Sequence, residues 1–114
     1  MLTPEERLNI QEFYSRYADC LDGGRLQNWP EFFTEQCVYR INTRRGIRMG
    51  PEDDSMNFDS KAIMLDRTVS LSQSEDFVPH QQRHFITNVR AMPTESDELR
   101  VFANFLVVRT FAEK

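Results

Sequence analysis

Three observations predict an α+β fold, with N-terminal helices packed on one face of an antiparallel sheet. A capped amphipathic helix opens the 114-residue sequence. Two β-rich runs joined by a short polar connection lie near its other end. Between them the pattern passes through a short helix, a strand and a third helix.

Thr3-Pro4-Glu5-Glu6 is the helix start. Thr3 caps, Pro4 fits the first helical position, where its missing N–H does no harm, and Glu6 completes a capping box. Ile10, Phe13, Tyr14, Tyr17, Ala18 and Leu21 then recur at helical spacing, with Gln11, Glu12, Ser15, Arg16 and Asp19 opposite. This is an amphipathic helix of about five turns. Asp22-Gly23-Gly24 ends it, because glycine accepts the left-handed conformation of a helix terminus. A short helix is expected from Leu26 to Phe33, with Leu26, Trp29, Phe32 and Phe33 on the core and Pro30 in its first turn. Cys37 to Thr43 reads as a strand with Tyr39 and Ile41 facing inward. Arg44 to Ser55, with Gly46, Gly50 and Pro51, reads as a loop. Asp59 or Ser60 caps a third helix running to about Ser72, packed through Ile63, Met64 and Leu65. The β-branched Thr68 and Val69 weaken its second half. Gln73 to Gln82 is a polar linker.

The hairpin pairs a run from Arg83 to Arg90 with one from Leu99 to Arg109. The second run is apolar on both faces: Leu99, Val101, Ala103, Phe105 and Val107 point one way, Phe102, Leu106 and Val108 the other. A strand with one solvated face should alternate apolar and polar residues, and this one does not. Another polypeptide is the expected cover for the second face. Asn88 and Asn104, near the middle of the two strands, are expected almost opposite one another, with their amides bonded across the pair.

The length fits a single domain over residues 1–114, burying roughly 65% of its unfolded surface. Nine Phe among thirteen aromatic residues supply much of the apolar area. A net charge of −4 argues against a general nucleic-acid binder. Cys20 and Cys37 are too few for a disulfide framework and suit buried thiols in a reducing compartment. The N-terminal residues lack the apolar run of a secretory signal, and no stretch approaches a membrane span. A soluble, cytoplasmic protein is expected.

The chemistry-bearing residues are few. His80, His84, Cys20 and Cys37 do not form a C-x-x-C, a helical H-x-x-x-H or a carboxylate-rich calcium loop, so no metal or cofactor site is expected in this chain. The four-ligand pattern of an iron–sulfur cluster is absent. His84 is the best acid–base candidate, since imidazole titrates near neutrality. It is expected on one strand face with Ile86 and Asn88, facing Tyr14, Tyr17 and Asp22 of the first helix. Such a set suits an isomerisation or dehydration. The plainer reading is a core histidine with both nitrogens satisfied. The segment Arg40 to Arg48 holds four arginines, which either meet carboxylates on a partner or form a solvated loop balanced by Glu52, Asp53 and Asp54.

Several segments together resemble the small (β) subunits of aromatic-ring-hydroxylating oxygenases. They are Tyr17-Ala18-x-x-Leu21-Asp22, Trp29-x-x-Phe32-Phe33-Thr34-x-x-Cys37-x-Tyr39, Met64-Leu65-Asp66-Arg67-x-Val69, Arg83-His84-x-Ile86-x-Asn88-Val89 and Asn104-Phe105-x-Val107-x-Arg109-Thr110. The resemblance covers nearly the whole chain and implies a cone-shaped, cystatin-like α+β fold shared with nuclear transport factor, ketosteroid isomerase and scytalone dehydratase, its helices lying on a curved antiparallel sheet. It implies a non-catalytic structural subunit partnered by a large α subunit, with the β subunits forming a homotrimer within an α3β3 assembly. The Rieske [2Fe–2S] cluster and mononuclear iron would then belong to the large subunit. Reduced nicotinamide, acting through separate reductase components, and dioxygen would serve to hydroxylate an aromatic compound for catabolism. Tyr39-Arg40-Ile41-Asn42-Thr43-Arg44 looks closest to members acting on aromatic carboxylates such as salicylate.

Family members continue for further strands beyond the position of Thr110, so the C-terminal strands are expected to be truncated here. The alternative reading is a free-standing isomerase or dehydratase of the same fold, with His84, Asp22 and Tyr17 as its catalytic residues.

Overall fold

A computed structural model of the chain describes residues 1–49, 56–72 and 80–111. It divides into two compact units, one made of Met1–Arg25 with Val78–Lys114, the other of Leu26–Phe77.

The first unit sets helix α1 (Pro4–Asp22) against a hairpin of β3 (His80–Pro93) and β4 (Leu99–Phe111). The capping box forms as the sequence requires: Glu6 N–H donates to Thr3 Oγ1 at 3.1 Å, and Thr3 N–H to Glu6 Oε1 at 3.2 Å. At the other end Gly24 adopts a φ of 73°, and Gly23 N–H closes on Asp19 O at 2.8 Å. Cys20, buried, donates its thiol to Arg25 O at 3.2 Å. Cys20 and Cys37 are both free thiols. Phe13, expected in the core, lies at the edge of the buried stripe and is exposed.

The hairpin register decides which β3 residues meet α1. Thr87 pairs with Asn104 and Arg90 with Phe102, so Asn88 and Val89 together stand against Ala103. This is a β-bulge, and Asn88 occupies its left-handed position with φ 55°. Asparagine tolerates that conformation better than most residues. The extra residue switches the inward parity of the strand. Gln82, His84 and Ile86 are the half-buried positions before the bulge, Val89 and Ala91 after it. Two sequence expectations are corrected here. Asn88 does not share the His84–Ile86 face, and Asn104 opposes Thr87 rather than Asn88. An unbulged strand would have presented Asn88 and Arg90 to the helix side in place of Val89 and Ala91. The strand also begins at His80, inside the segment read as a linker, whose residues 73–79 lie outside the described residues.

The second unit is built on aromatic contacts. The segment Leu26–Phe32 is a 3₁₀ helix rather than an α-helix, with Pro30 buried inside it instead of in a first turn. The proline lacks the N–H that an α-helical ladder would use, and its own carbonyl accepts from Phe33 N–H at 3.0 Å. Trp29 meets Phe33 and Tyr39 edge-to-face, with ring centroids 5.5 and 5.0 Å apart. Tyr39 also stacks on Phe58 at 6.0 Å. These last two residues pair across the short strands β1 (Tyr39–Ile41) and β2 (Met56–Phe58).

Ile41, expected inward, is exposed, because its place at the strand end lies beyond the aromatic cluster. Arg44–Met49, within the expected loop, forms a short helix, α2, while 50–55 lie outside the described residues. Helix α3 (Lys61–Ser72) is capped by Ser60, whose Oγ accepts Ile63 N–H at 3.2 Å. It packs on the 3₁₀ helix through Met64, fully buried, and Thr68 one turn later. Ile63 and Leu65 flank that stripe and are exposed, contrary to expectation. Thr68 does not break the helix, since its hydroxyl donates to Leu65 O at 2.8 Å.

Candidate functional site

The candidate site lies within the first unit, where the C-terminal half of α1 crosses β3. Asp22 is the last residue of α1, at the end where the helix dipole is negative and a carboxylate is unfavourable. His84 supplies the compensation. Its backbone N–H donates to Asp22 Oδ2 at 2.9 Å and Oδ1 at 3.1 Å, and its ring Nδ1 lies 2.6 Å from Oδ1. The Asp22 side chain is 6% exposed and that of His84 17%. One position earlier on the inward face, Gln82 Nε2 donates to Leu21 O at 3.0 Å, a carbonyl that also accepts Gly24 N–H at 3.2 Å.

The carboxylate beside Nδ1 accepts the proton on that nitrogen, which leaves Nε2 as the second polar atom of the ring. That nitrogen has no protein partner among the described residues. The plainer reading of a fully satisfied core histidine therefore holds for one ring nitrogen only.

Beside the pair opens a cleft of about 610 Å³. From α1 it is lined by Gln11, Tyr14, Ser15, Ala18, Asp19 and Asp22, a stripe at intervals of three and four residues. From β3 the whole run 83–89 borders it, His84, Ile86 and Val89 being its half-buried members. Burial raises the Tyr14 hydroxyl pKa above its ordinary value. Of the expected residues, the fold brings together His84, Asp22 and Tyr14. Tyr17 does not line the cleft and lies against Phe13, with ring centroids 6.5 Å apart. Gln11, Ser15 and Asp19, whose polarity predicts the solvent side, border the cleft. A polar stripe facing a wet cleft has the same hydropathy as one facing bulk water.

Among the described residues no group of three His, Cys, Asp or Glu stands close enough to hold a metal ion. In the arginine-rich segment, Arg40 is engaged locally, with Nε donating to Asn57 Oδ1 at 3.1 Å and a contact to Asp59 at 3.8 Å. Among the described residues, no helix is long and apolar enough to cross a membrane.

The other exposed feature is the hairpin. Phe105 is 72% and Leu106 62% exposed, on opposite faces of β4, and Phe102 and Val108 are exposed as well. The strands β3 and β4 carry Arg83, Arg90, Arg100 and Arg109 and no carboxylate, although the chain is acidic as a whole. Arg90 lies over the ring of Phe102, its paired residue, at 5.7 Å.

Known proteins are similar to this chain in sequence and in fold. The chain is 30% identical over 101 residues to the small subunit of anthranilate 1,2-dioxygenase of Burkholderia cepacia, covering 89% of this chain and 63% of that protein. It is 24% identical over 102 residues to the terminal oxygenase component subunit beta 1 of terephthalate 1,2-dioxygenase of a Comamonas species, covering 90% and 66%. A solved β subunit, assigned to an aromatic-ring-hydroxylating dioxygenase of Novosphingobium aromaticivorans, superposes with a TM-score of 0.76 at 32% identity, covering 89% of this chain and 63% of that one. The chain thus spans under two thirds of the length of each of these relatives. The resemblance to such β subunits and the α+β, nuclear-transport-factor-like fold class read from the sequence are both borne out. The description of the SnoaL-like domain matches residues 3–114, and the chain belongs to the SnoaL-like domain family.

Proposed function

We propose that this chain serves as the small, β-type subunit of a multicomponent aromatic-ring-hydroxylating oxygenase, supporting a large subunit that carries the redox centres. The observation that carries this reading is the match over 89% of the chain to a dioxygenase small subunit. The two-faced apolar strand β4 supports it as well: a surface of this kind gains stability when another chain covers it. The arginines on the hairpin favour a partner surface that offers carboxylates.

In this reading the chain performs no redox step. It contributes apolar sheet area and guanidinium groups to an assembly, while the partner binds and hydroxylates the aromatic compound. Anthranilate and terephthalate, named for the two relatives above, are both aromatic carboxylates, and that class is the proposed substrate type. A homotrimer within a mixed assembly is the proposed stoichiometry, and the cytoplasm the proposed location. The alternative of a free-standing isomerase is weaker, because one of its three catalytic candidates, Tyr17, is not in the cleft. The test is affinity capture of a tagged Rieske-type large subunit co-expressed with this chain. Retention of this chain at fixed stoichiometry is the expected result, and a large subunit recovered alone would refute the proposal.

A further inference from the structure

We propose that β4 pairs along its outer edge with β4 of a second copy of this chain, antiparallel and centred on Phe105, so that two hairpins join into one four-stranded sheet. The inference concerns the chain by itself and is independent of the oxygenase-subunit reading.

The two strands of the hairpin treat their edges differently. β3 carries the marks of a protected edge: the bulge at Asn88 interrupts its ladder, and Pro93 ends it without an N–H to offer. β4 has neither device. Its 13 residues run from Leu99 to Phe111 without proline or glycine, and the extra residue of the bulge lies on β3. Among the described residues β4 pairs with β3 alone, and α1 packs on β3. Every residue of β4 except Val101 and Val107 is exposed. The outer edge therefore presents a row of main-chain donors and acceptors about 43 Å long.

The side chains fit a copy of the same strand. Phe105 is the midpoint of β4 and its most exposed apolar residue, at 72%, and Leu106 beside it follows at 62%. A two-fold axis at Phe105 overlaps the whole strand with its copy and sets the two Phe105 rings opposite one another. Phe102 then meets Val108 of the copy. Aromatic–aromatic and aromatic–β-branched neighbours of this kind stabilise antiparallel pairs. The charges are accommodated as well: Arg100 lies opposite Thr110 and Arg109 opposite Val101, so the strand's two cations avoid each other although it holds no carboxylate. Opposed positions share parity in this register, and both copies keep α1 on the same side of the joined sheet. Such an isologous contact closes on itself and stops at two copies.

The test uses the purified chain alone, and a failure here does not bear on capture by a large subunit. Light scattering after size exclusion is expected to give a dimer. Phe105→Cys is expected to form an interchain disulfide on mild oxidation, since directly opposed residues lie within disulfide reach. Phe102→Cys, about 20 Å from its own copy in this register, is not. The parent chain with Cys20 and Cys37 is oxidised in parallel as the control. Phe105→Lys and Phe105→Glu are each expected to weaken dimerisation about tenfold or more, because like charges then face one another. An equimolar mixture of the two is expected to dimerise again, with circular dichroism unchanged throughout. The disulfide experiment carries the test if the charged variants do not fold. A monomer, a trimer, cross-linking at 102 but not at 105, or undiminished dimerisation of the folded charged variants would each overturn the proposal.

Discussion

Asp22 and His84, 62 positions apart, are joined by three hydrogen-bonding contacts that tie the end of α1 to the middle of β3. The carboxylate is almost fully buried and its acceptors are spent on one residue. Removing it leaves a buried N–H and a ring N–H without a partner. Asp22→Ala should therefore destabilise the fold by about 3 kcal/mol. Asp22→Asn, which keeps one acceptor oxygen, should cost less. The denaturation midpoint in urea, read by far-ultraviolet circular dichroism at constant slope, checks both.

The bulge at Asn88 gives a second prediction. Its φ of 55° suits glycine and asparagine, so Asn88→Gly should change stability little. Asn88→Val, β-branched at a left-handed position, should cost about 1–2 kcal/mol. The pair of variants separates backbone strain from any loss of amide contacts, with thermal unfolding as the readout.

Met64 is fully buried, whereas Ile63 and Leu65 beside it are exposed. Met64→Ala should destabilise by about 2–5 kcal/mol, and each of the other two truncations by less than about 1 kcal/mol. Trp29, the single tryptophan, belongs to the same compact unit, so its fluorescence during chemical unfolding reports the difference.

Tyr14 sets an alkaline limit. Its pKa is raised by burial from 10.0, so above that pH the unfolded chain loses the phenolic proton while the folded chain holds it. The stability contribution is fully present below pH 10.0 and is lost as pH rises through the folded value. Tyr14→Phe should remove that part of the alkaline decline. Tyrosinate absorbance of the native protein should include a component that titrates above pH 10.0 and is lost in the variant.

Much of the fold was legible because its signals are local. Thr3, Pro4 and Glu6 specify a helix start within four residues, and Gly24 specifies the stop. Ser60 marks the start of α3 in the same way. The two long β-rich runs announce a hairpin through composition alone. The bulge was not legible, since nothing in Thr87-Asn88-Val89-Arg90 says which residue leaves the ladder. That choice is settled by which parity lets Val89 and Ala91 join Ile86 on the inward face. β2 was hidden by its length, three residues at the edge of a charged segment. Helix α2, with Gly46 inside it, lacked both caps and periodicity. At the site, His84 and Asp22 were visible as residue types. The choice of Tyr14 over Tyr17 depends on the rotation of α1 about its axis, which hydropathy leaves open because both tyrosines sit on the apolar stripe.

The proposed support of a redox-active large subunit is tested most directly by ring hydroxylation by that subunit purified with and without this chain. The expected result is a defined mixed complex whose turnover depends on this chain, and which fails to form when Leu106→Asp places a charge on an exposed face of β4. A large subunit that forms no complex with the chain and hydroxylates its substrate at full rate alone would contradict it.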